Sequence, residues 1–295
     1  MNFRLQLPSQ LTACAHSAMA TEFVLHLGGH EPAYLRQAAS EVSARIDQLE
    51  ASLSFYRESS DVTRINRARP GAEVSVGPDT LACLMLAAEA AELTGGAYNA
   101  FTGRASIGEK KQDVPLYLID APGPAAGDEP GPVVSLLPEA RIVRKLRSGP
   151  WLDLGALGKG YALDEAAALL AEWDITSGCL IAGGSSLRGL GGAGWLLEID
   201  TATAPLNLPG QFGLGASGFQ FQANHIIDSR PSPERSAAVR ALVLAPSAAL
   251  ADALSTAAML LTPTELAWLS RIRPGVASLV VDAIGQRHRH GAPFA

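Results

Sequence analysis

The chain is short of cysteine, of aromatic side chains and of positive charge, and each shortage narrows what it can be. Its three cysteines, Cys14, Cys83 and Cys179, are too few and too scattered for a disulfide framework or a zinc cluster. Cys83 and Cys179 sit in apolar runs and read as core filler. The net charge of -6 gives no long-range attraction to nucleic acid or to an anionic membrane. No apolar run is long enough to span a bilayer. Leu11-Thr12-Ala13-Cys14 loosely resembles a lipoprotein cleavage box, but the preceding segment carries Arg4, Gln6, Pro8, Ser9 and Gln10 in place of an apolar core. No signal peptide is expected, and the expected compartment is the cytoplasm. Aromatics are only 6% of the 295 residues, whereas alanine and glycine are abundant, so close contacts between small residues are expected.

Two nucleotide signatures are missing as well. Gly189-Leu190-Gly191-Gly192-Ala193-Gly194 has the spacing of a dinucleotide fingerprint, but it leads into the strand-like run 195–200 rather than opening a helix. It reads as a glycine-rich turn. Gly158-Lys159 lacks the upstream glycine and the following Ser/Thr of a P-loop; Asp153 and Gly160 stand there.

What is present is a succession of strands and helices. Residues 21–27 alternate as a strand, and Leu35, Ala39, Val42, Ile46, Leu49 and Leu53 place an amphipathic helix over 32–53. Asp79 is the expected N-cap of a helix running to Leu93, which Gly95-Gly96 ends. The polar stretch from Asp61 to Asn66 reads as loop. Residues 121–132 hold four prolines and three glycines and read as a surface insertion in one large domain, with a linker between two lobes as the other reading. Strands are expected at 140–146, 151–154, 179–182, 195–200, 225–228, 239–245 and 276–281, and helices at 160–173 and 248–261. Thr262-Pro263-Thr264-Glu265 has the form of a capping box opening a further helix. The strands do not alternate regularly with helices, so the expected class is α+β, with mixed or antiparallel sheets and packed helices.

Two stretches carry chemistry. In the run from Leu152 to Asp164, a carboxylate (Asp153), a glycine turn and Lys159 fall where an apolar run gives way to a helix. Glycine admits a close backbone approach, the helix start offers free N–H groups and the lysine adds a point charge, which suits a phosphate-bearing ligand. In Ala251-Asp252-Ala253-Leu254-Ser255-Thr256, Asp252 and Thr256 share one helix face and offer oxygen ligands to a hard cation such as Mg2+. Asp252 near a helix start also suits the helix dipole, with Thr256 simply packed. His225 at the end of a strand is placed for proton transfer or is merely a polar strand-end residue. Tyr56 stacks on an aromatic ligand or caps helix packing.

Taken in order, these segments resemble the ApbE family of flavin transferases. The resemblance is carried by Met19-Ala20-Thr21, the run from Leu53 to Asn66, Gly95-Gly96-Ala97-Tyr98-Asn99, the run from Asp153 to Asp164, Gly183-Gly184-Ser185-Ser186, Ala216-Ser217-Gly218, His225-Ile226-Ile227-Asp228 and Asp252 to Thr256. It implies an ApbE-like fold and transfer of the FMN half of FAD to a Ser or Thr hydroxyl of an acceptor protein, with release of AMP. It further implies Mg2+ held by Asp252, Thr256 and the carbonyl of Ala156, with Asp252 and His225 as catalytic residues, His225 as base. Met19, Tyr56, Ala97, Tyr98, Asn99, Asp153, Lys159 and His225 would contact FAD. Asn99 stands for the family's usual aspartate, Phe101 and Ala216 for threonines, Ser229 for a proline and Ile181 for a frequent asparagine. These departures leave two other readings, an FAD pyrophosphatase and a non-catalytic FAD-binding protein.

Overall fold

The computed structural model describes residues 3–8, 10–103, 105, 115–118, 131–191, 195–199, 205–218, 226–231 and 236–294. Most of the predicted insertion lies outside them. In β3 (Thr21–Gly28), Phe23, Leu25 and Leu27 are buried as the alternation requires. The strand pairs on one side with β2 (Thr12–Ala18) and on the other with β7 (Ser177–Ala182). From β7 the sheet continues through β8 (Ser186–Gly191), β11 (Gln211–Gly218), β12 (Ala238–Ala245), β13 (Ala277–Asp282) and the edge strand β14 (Arg287–His290). All of these pairings are antiparallel. Gly189 and Gly191 thus belong to a strand rather than a turn; a side chain at Gly189 would strike the Phe212 ring.

The two faces of this eight-stranded sheet are covered differently. On one face β1 (Phe3–Gln6), β9 (Trp195–Ile199) and β10 (Leu206–Leu208) form a small antiparallel sheet over a core that includes Leu197, Phe212, Leu214, Leu244 and Leu279. The other face carries the helices. The 22-residue α1 (Pro32–Leu53) buries its expected stripe, from Leu35 to Leu53. α3 (Pro78–Leu93), α4 (Gly158–Glu172) and α5 (Ala248–Ala258) share that core, and α6 (Pro263–Ile272) starts on the capping box formed by Thr262 and Glu265. A third sheet, β4 (Glu73–Ser75), β6 (Ile142–Lys145) and β5 (Val134–Leu137), is antiparallel too.

Four local expectations change. Residues 61–67 form α2 (Asp61–Arg67), not a loop, because the Ser60 side chain accepts the Thr63 N–H and caps it. The cap of α3 is Gly77 with Pro78 at the first position; Asp79 sits in the first turn and turns its carboxylate to Arg45 and Tyr161. Residues 151–154 make no strand, and neither do 226–228. Among the described residues no helix is long and apolar enough to cross a membrane.

Candidate active site

A cleft of about 660 Å3 opens where the β2–β3 hairpin, the turn after α3, residues 153–159, β11 and α5 converge. Of the residues singled out from the sequence, Met19, Tyr56, Ala97, Tyr98 and Asn99 line one side. Asp153, Ala156, Lys159, Asp252 and Thr256 line the same cavity. His225 lies outside the described residues, whereas Ile226 and Ile227 after it contribute to the wall.

The floor is built by three close backbone approaches. α5 lies so near its neighbours that a Cβ on Gly160 would come within 2.2 Å of the Ala248 carbonyl oxygen, and one on Gly215 within 2.3 Å of the Ala251 oxygen. Gly213 is as tight against Ser247. So seated, Asp252 is 5% exposed and takes two hydrogen bonds on Oδ2, from the Gly160 N–H (2.9 Å) and the Ser186 hydroxyl (2.8 Å). No hydrogen bond from the described residues reaches Oδ1. Burial pushes the Asp252 carboxyl up to about 6, against the opposing pull of the Lys159 charge and of the two hydrogen bonds. One turn on, the Thr256 hydroxyl is 3.4 Å from the Asp252 carbonyl oxygen and 3.5 Å from Ser217 Oγ, which pairs with Ser255 Oγ at 2.8 Å. A desolvated carboxylate oxygen and a ring of hydroxyls facing one cavity can hold a hard cation. The sequence reading gave no role to Ser186, Ser217 or Ser255; only their places inside the quoted motifs hinted at them.

Asp153 is set by a different device. The Asn66 side chain imitates a neighbouring strand: its Nδ2 donates to the Leu152 carbonyl (2.9 Å) and its Oδ1 accepts the Leu152 N–H (2.7 Å). The opposite edge is tied by the Asp153 N–H to the Ala100 carbonyl (2.7 Å) and by the Gly103 N–H to that of Trp151 (3.0 Å). This explains why an apolar run here needs no partner strand. Asp153 Oδ1 then accepts the Gly155 N–H at 2.8 Å, closing the turn that leads into α4. Among the described residues Lys159 Nζ has one long hydrogen-bond contact, 3.5 Å to the Gly155 carbonyl, which leaves its charge available to a ligand.

The rim has two further features. Met19 and Ala20 form the two-residue turn between β2 and β3, both with left-handed backbone (φ 51° and 56°), and the Met19 N–H donates to Glu50 Oε1 at 3.0 Å. Tyr56 lies at the rim, 58% exposed, with its ring edge-on to Phe55.

The ApbE family profile matches residues 19–280. The chain belongs to the ApbE family. Three solved structures share the fold. The ApbE protein of Thermotoga maritima is 23% identical with a TM-score of 0.74, over 95% of this chain and 97% of that one. The flavin transferase ApbE of Vibrio cholerae is 19% identical with a TM-score of 0.77, over 98% and 100%. The apo flavinyl transferase ApbE of Pseudomonas stutzeri is 21% identical with a TM-score of 0.75, over 97% of each chain. No curated protein matches the chain.

The departures from the ApbE pattern are not equal. Ile181 packs on the core beneath the small sheet and is not among the described residues that line the cleft. Ala216 does line the cleft. Asn99 and Ser229 compensate each other: Asn99 Oδ1 accepts the Phe101 N–H, and its Nδ2 donates to Ser229 Oγ at 2.8 Å, tying the turn after α3 to the segment 226–231. Arg230 pairs with Asp228 inside the same segment and fastens it to Glu265 and the Leu260 carbonyl.

Proposed function

We propose that this ApbE protein transfers the FMN moiety of FAD to a Ser or Thr hydroxyl of an acceptor protein, with Mg2+, releasing AMP. The observation that supports it best is the cleft itself: a carboxylate with one oxygen that no described residue hydrogen-bonds, a hydroxyl one helical turn away and a lysine without an ion-pair partner among the described residues face the same cavity. The names of the Vibrio and Pseudomonas relatives point the same way.

The donor set fits magnesium, which takes few protein oxygens and completes its shell with water and phosphate. Asp252 Oδ1, the Thr256 hydroxyl and the Ala156 carbonyl would hold it, and when bound it neutralises charge on the pyrophosphate. The chain's own residues do the rest. Lys159 and the N-terminus of α4 attract the phosphates, and Asp153 fixes the turn that presents them. Tyr56 offers its ring to a flat ligand at the rim. The acceptor oxygen forms the new bond to the FMN phosphorus, the phosphorus–oxygen bond to AMP breaks, and the acceptor proton passes to a base, the role assigned to His225.

Incubation with FAD, Mg2+ and a Ser/Thr-bearing flavin-acceptor domain should give in-gel flavin fluorescence on the acceptor and release AMP. Asp252→Ala should abolish both. Labelling that persists in that variant overturns the cation assignment. AMP and FMN formed without acceptor make the protein a pyrophosphatase, and FAD binding without turnover makes it a binding protein.

A further inference from the structure

We infer that Asp164 is a positioning residue for the cation-binding pair, because it and Asp252 are exchanged between two helices, each carboxylate taking N-terminal N–H groups of the other's helix. The first turn of any helix has N–H groups without intrahelical partners. In α5 those of Ala248 and Ala249 donate to Asp164 Oδ1 and Oδ2, each at 2.9 Å, and that of Leu250 to the Ser247 side chain. In α4 the Gly160 N–H donates to Asp252. Gly160 and Asp164 are one turn apart on α4, as Ala248 and Asp252 are on α5, so the two grips lie on facing surfaces. The absence of a side chain at Gly160 lets those surfaces meet.

Asp164 does not reach the cleft. It lines a separate cavity of about 260 Å3 with Arg188, whose Nε is 3.3 Å from Asp164 Oδ1 and whose Nη1 donates to the Pro246 carbonyl just before α5. Its influence on a ligand therefore passes through the seat of α5. Asparagine at 164 would turn an NH2 group toward a backbone N–H, donor against donor, and push the start of α5 away from α4. Asp252 and Thr256 would then shift relative to Lys159 and Ala156.

The inference rests on the proposal that Asp252 and Thr256 hold Mg2+, and the experiment separates the two. FAD fluorescence is titrated with Mg2+ in the wild type, in Asp164→Asn and in Val42→Ala, a buried α1 control that loses stability without touching the cleft. Wild type should show Mg2+-dependent FAD binding, and its absence overturns both the function and this inference. Asp164→Asn should need about tenfold more Mg2+ for half-maximal binding, as loss of a group supporting a metal ligand usually costs, with FAD binding in EDTA and the Val42→Ala titration unchanged. Unaltered Mg2+ dependence in Asp164→Asn, or an equal shift in Val42→Ala, overturns the inference and leaves the function standing. If Asp164→Asn does not fold, hydrogen exchange on the wild type decides. Mg2+ with FAD should slow exchange of the Ala248, Ala249 and Gly160 amides together, and unchanged exchange at the Ala248 and Ala249 amides overturns the coupling.

Discussion

Asp252 is costly to keep ionised where it stands. Burial raises its carboxyl from the ordinary 3.8 to about 6, so between those values the folded chain holds a proton that the unfolded chain has released. The sign follows: this group's contribution falls as pH rises through that window, by about 3 kcal/mol in total, and is flat above it. Asp252→Asn keeps an acceptor for Gly160 and Ser186 but has no charge to desolvate. Denaturant melts in EDTA should therefore find the variant and wild type alike near pH 4 and the variant more stable by up to about 3 kcal/mol at pH 7, while transfer is lost. A constant difference across that range would refute the pKa argument. Ala20 is strained in a second way, since an L residue with left-handed backbone is disfavoured by about 1 kcal/mol and its φ is 56°. Ala20→Gly should relieve that strain and, after the larger unfolded-state entropy of glycine is subtracted, raise stability by up to about 0.5 kcal/mol. A lower Tm would show that the turn is not strained.

At the scale of elements, the critical contact is α4 against α5. Gly160→Ala places a methyl group where the Ala248 carbonyl oxygen lies, and the two helices must part. A loss of about 3 kcal/mol or more by chemical denaturation is expected, the upper range of overpacking costs, together with loss of FAD binding. An active Gly160→Ala of normal Tm would mean the helices have slack. The same close approach explains what could be read in the sequence. α1 and the α6 capping box were legible because their signals are local, a long apolar period in one and four adjacent residues in the other. β11 was not, since Gly213 and Gly215 are demanded by α5 lying on them and glycine erases the strand pattern. α2 has only seven residues, too few to show a period. Residues 151–154 look like a strand in composition, but their partner is the Asn66 side chain, 86 positions away. Asp252 and Thr256, the pair proposed for the cation, stand out in the sequence because they share one turn of one helix. Asp164 supports it through the Ala248 N–H, 84 positions away, and Ser186 through Asp252, 66 positions away, and only their places inside the quoted motifs mark them.

Across the whole molecule the eight-stranded sheet separates two cores with different work. The helical core, with α1, α4 and α5, packs behind Met19, Ala97, Tyr98, Ala156 and Ile226 of the cleft, whereas among the described residues the core under β1, β9 and β10 meets the cleft lining at Ala216 of β11. Leu197 is at the centre of that second core, fully buried on the middle strand, opposite Leu5 and Leu206. Leu197→Ala should lower stability by about 2–5 kcal/mol, the usual cost of a large-to-small change in a packed core. Strand β11 belongs to both sides: Phe212 and Leu214 point into the second core, and Ser217, Gly213 and Gly215 face α5. A cavity under Leu197 could reach the cleft only by shifting β11, and the antiparallel hydrogen bonds of β11 to β8 and β12 on its two sides resist that shift. FAD affinity and transfer rate, assayed well below the lowered Tm, should therefore stay at wild-type values. A fall in affinity as large as the fall in stability would show that the small sheet sets the position of β11, and that the two cores act as one.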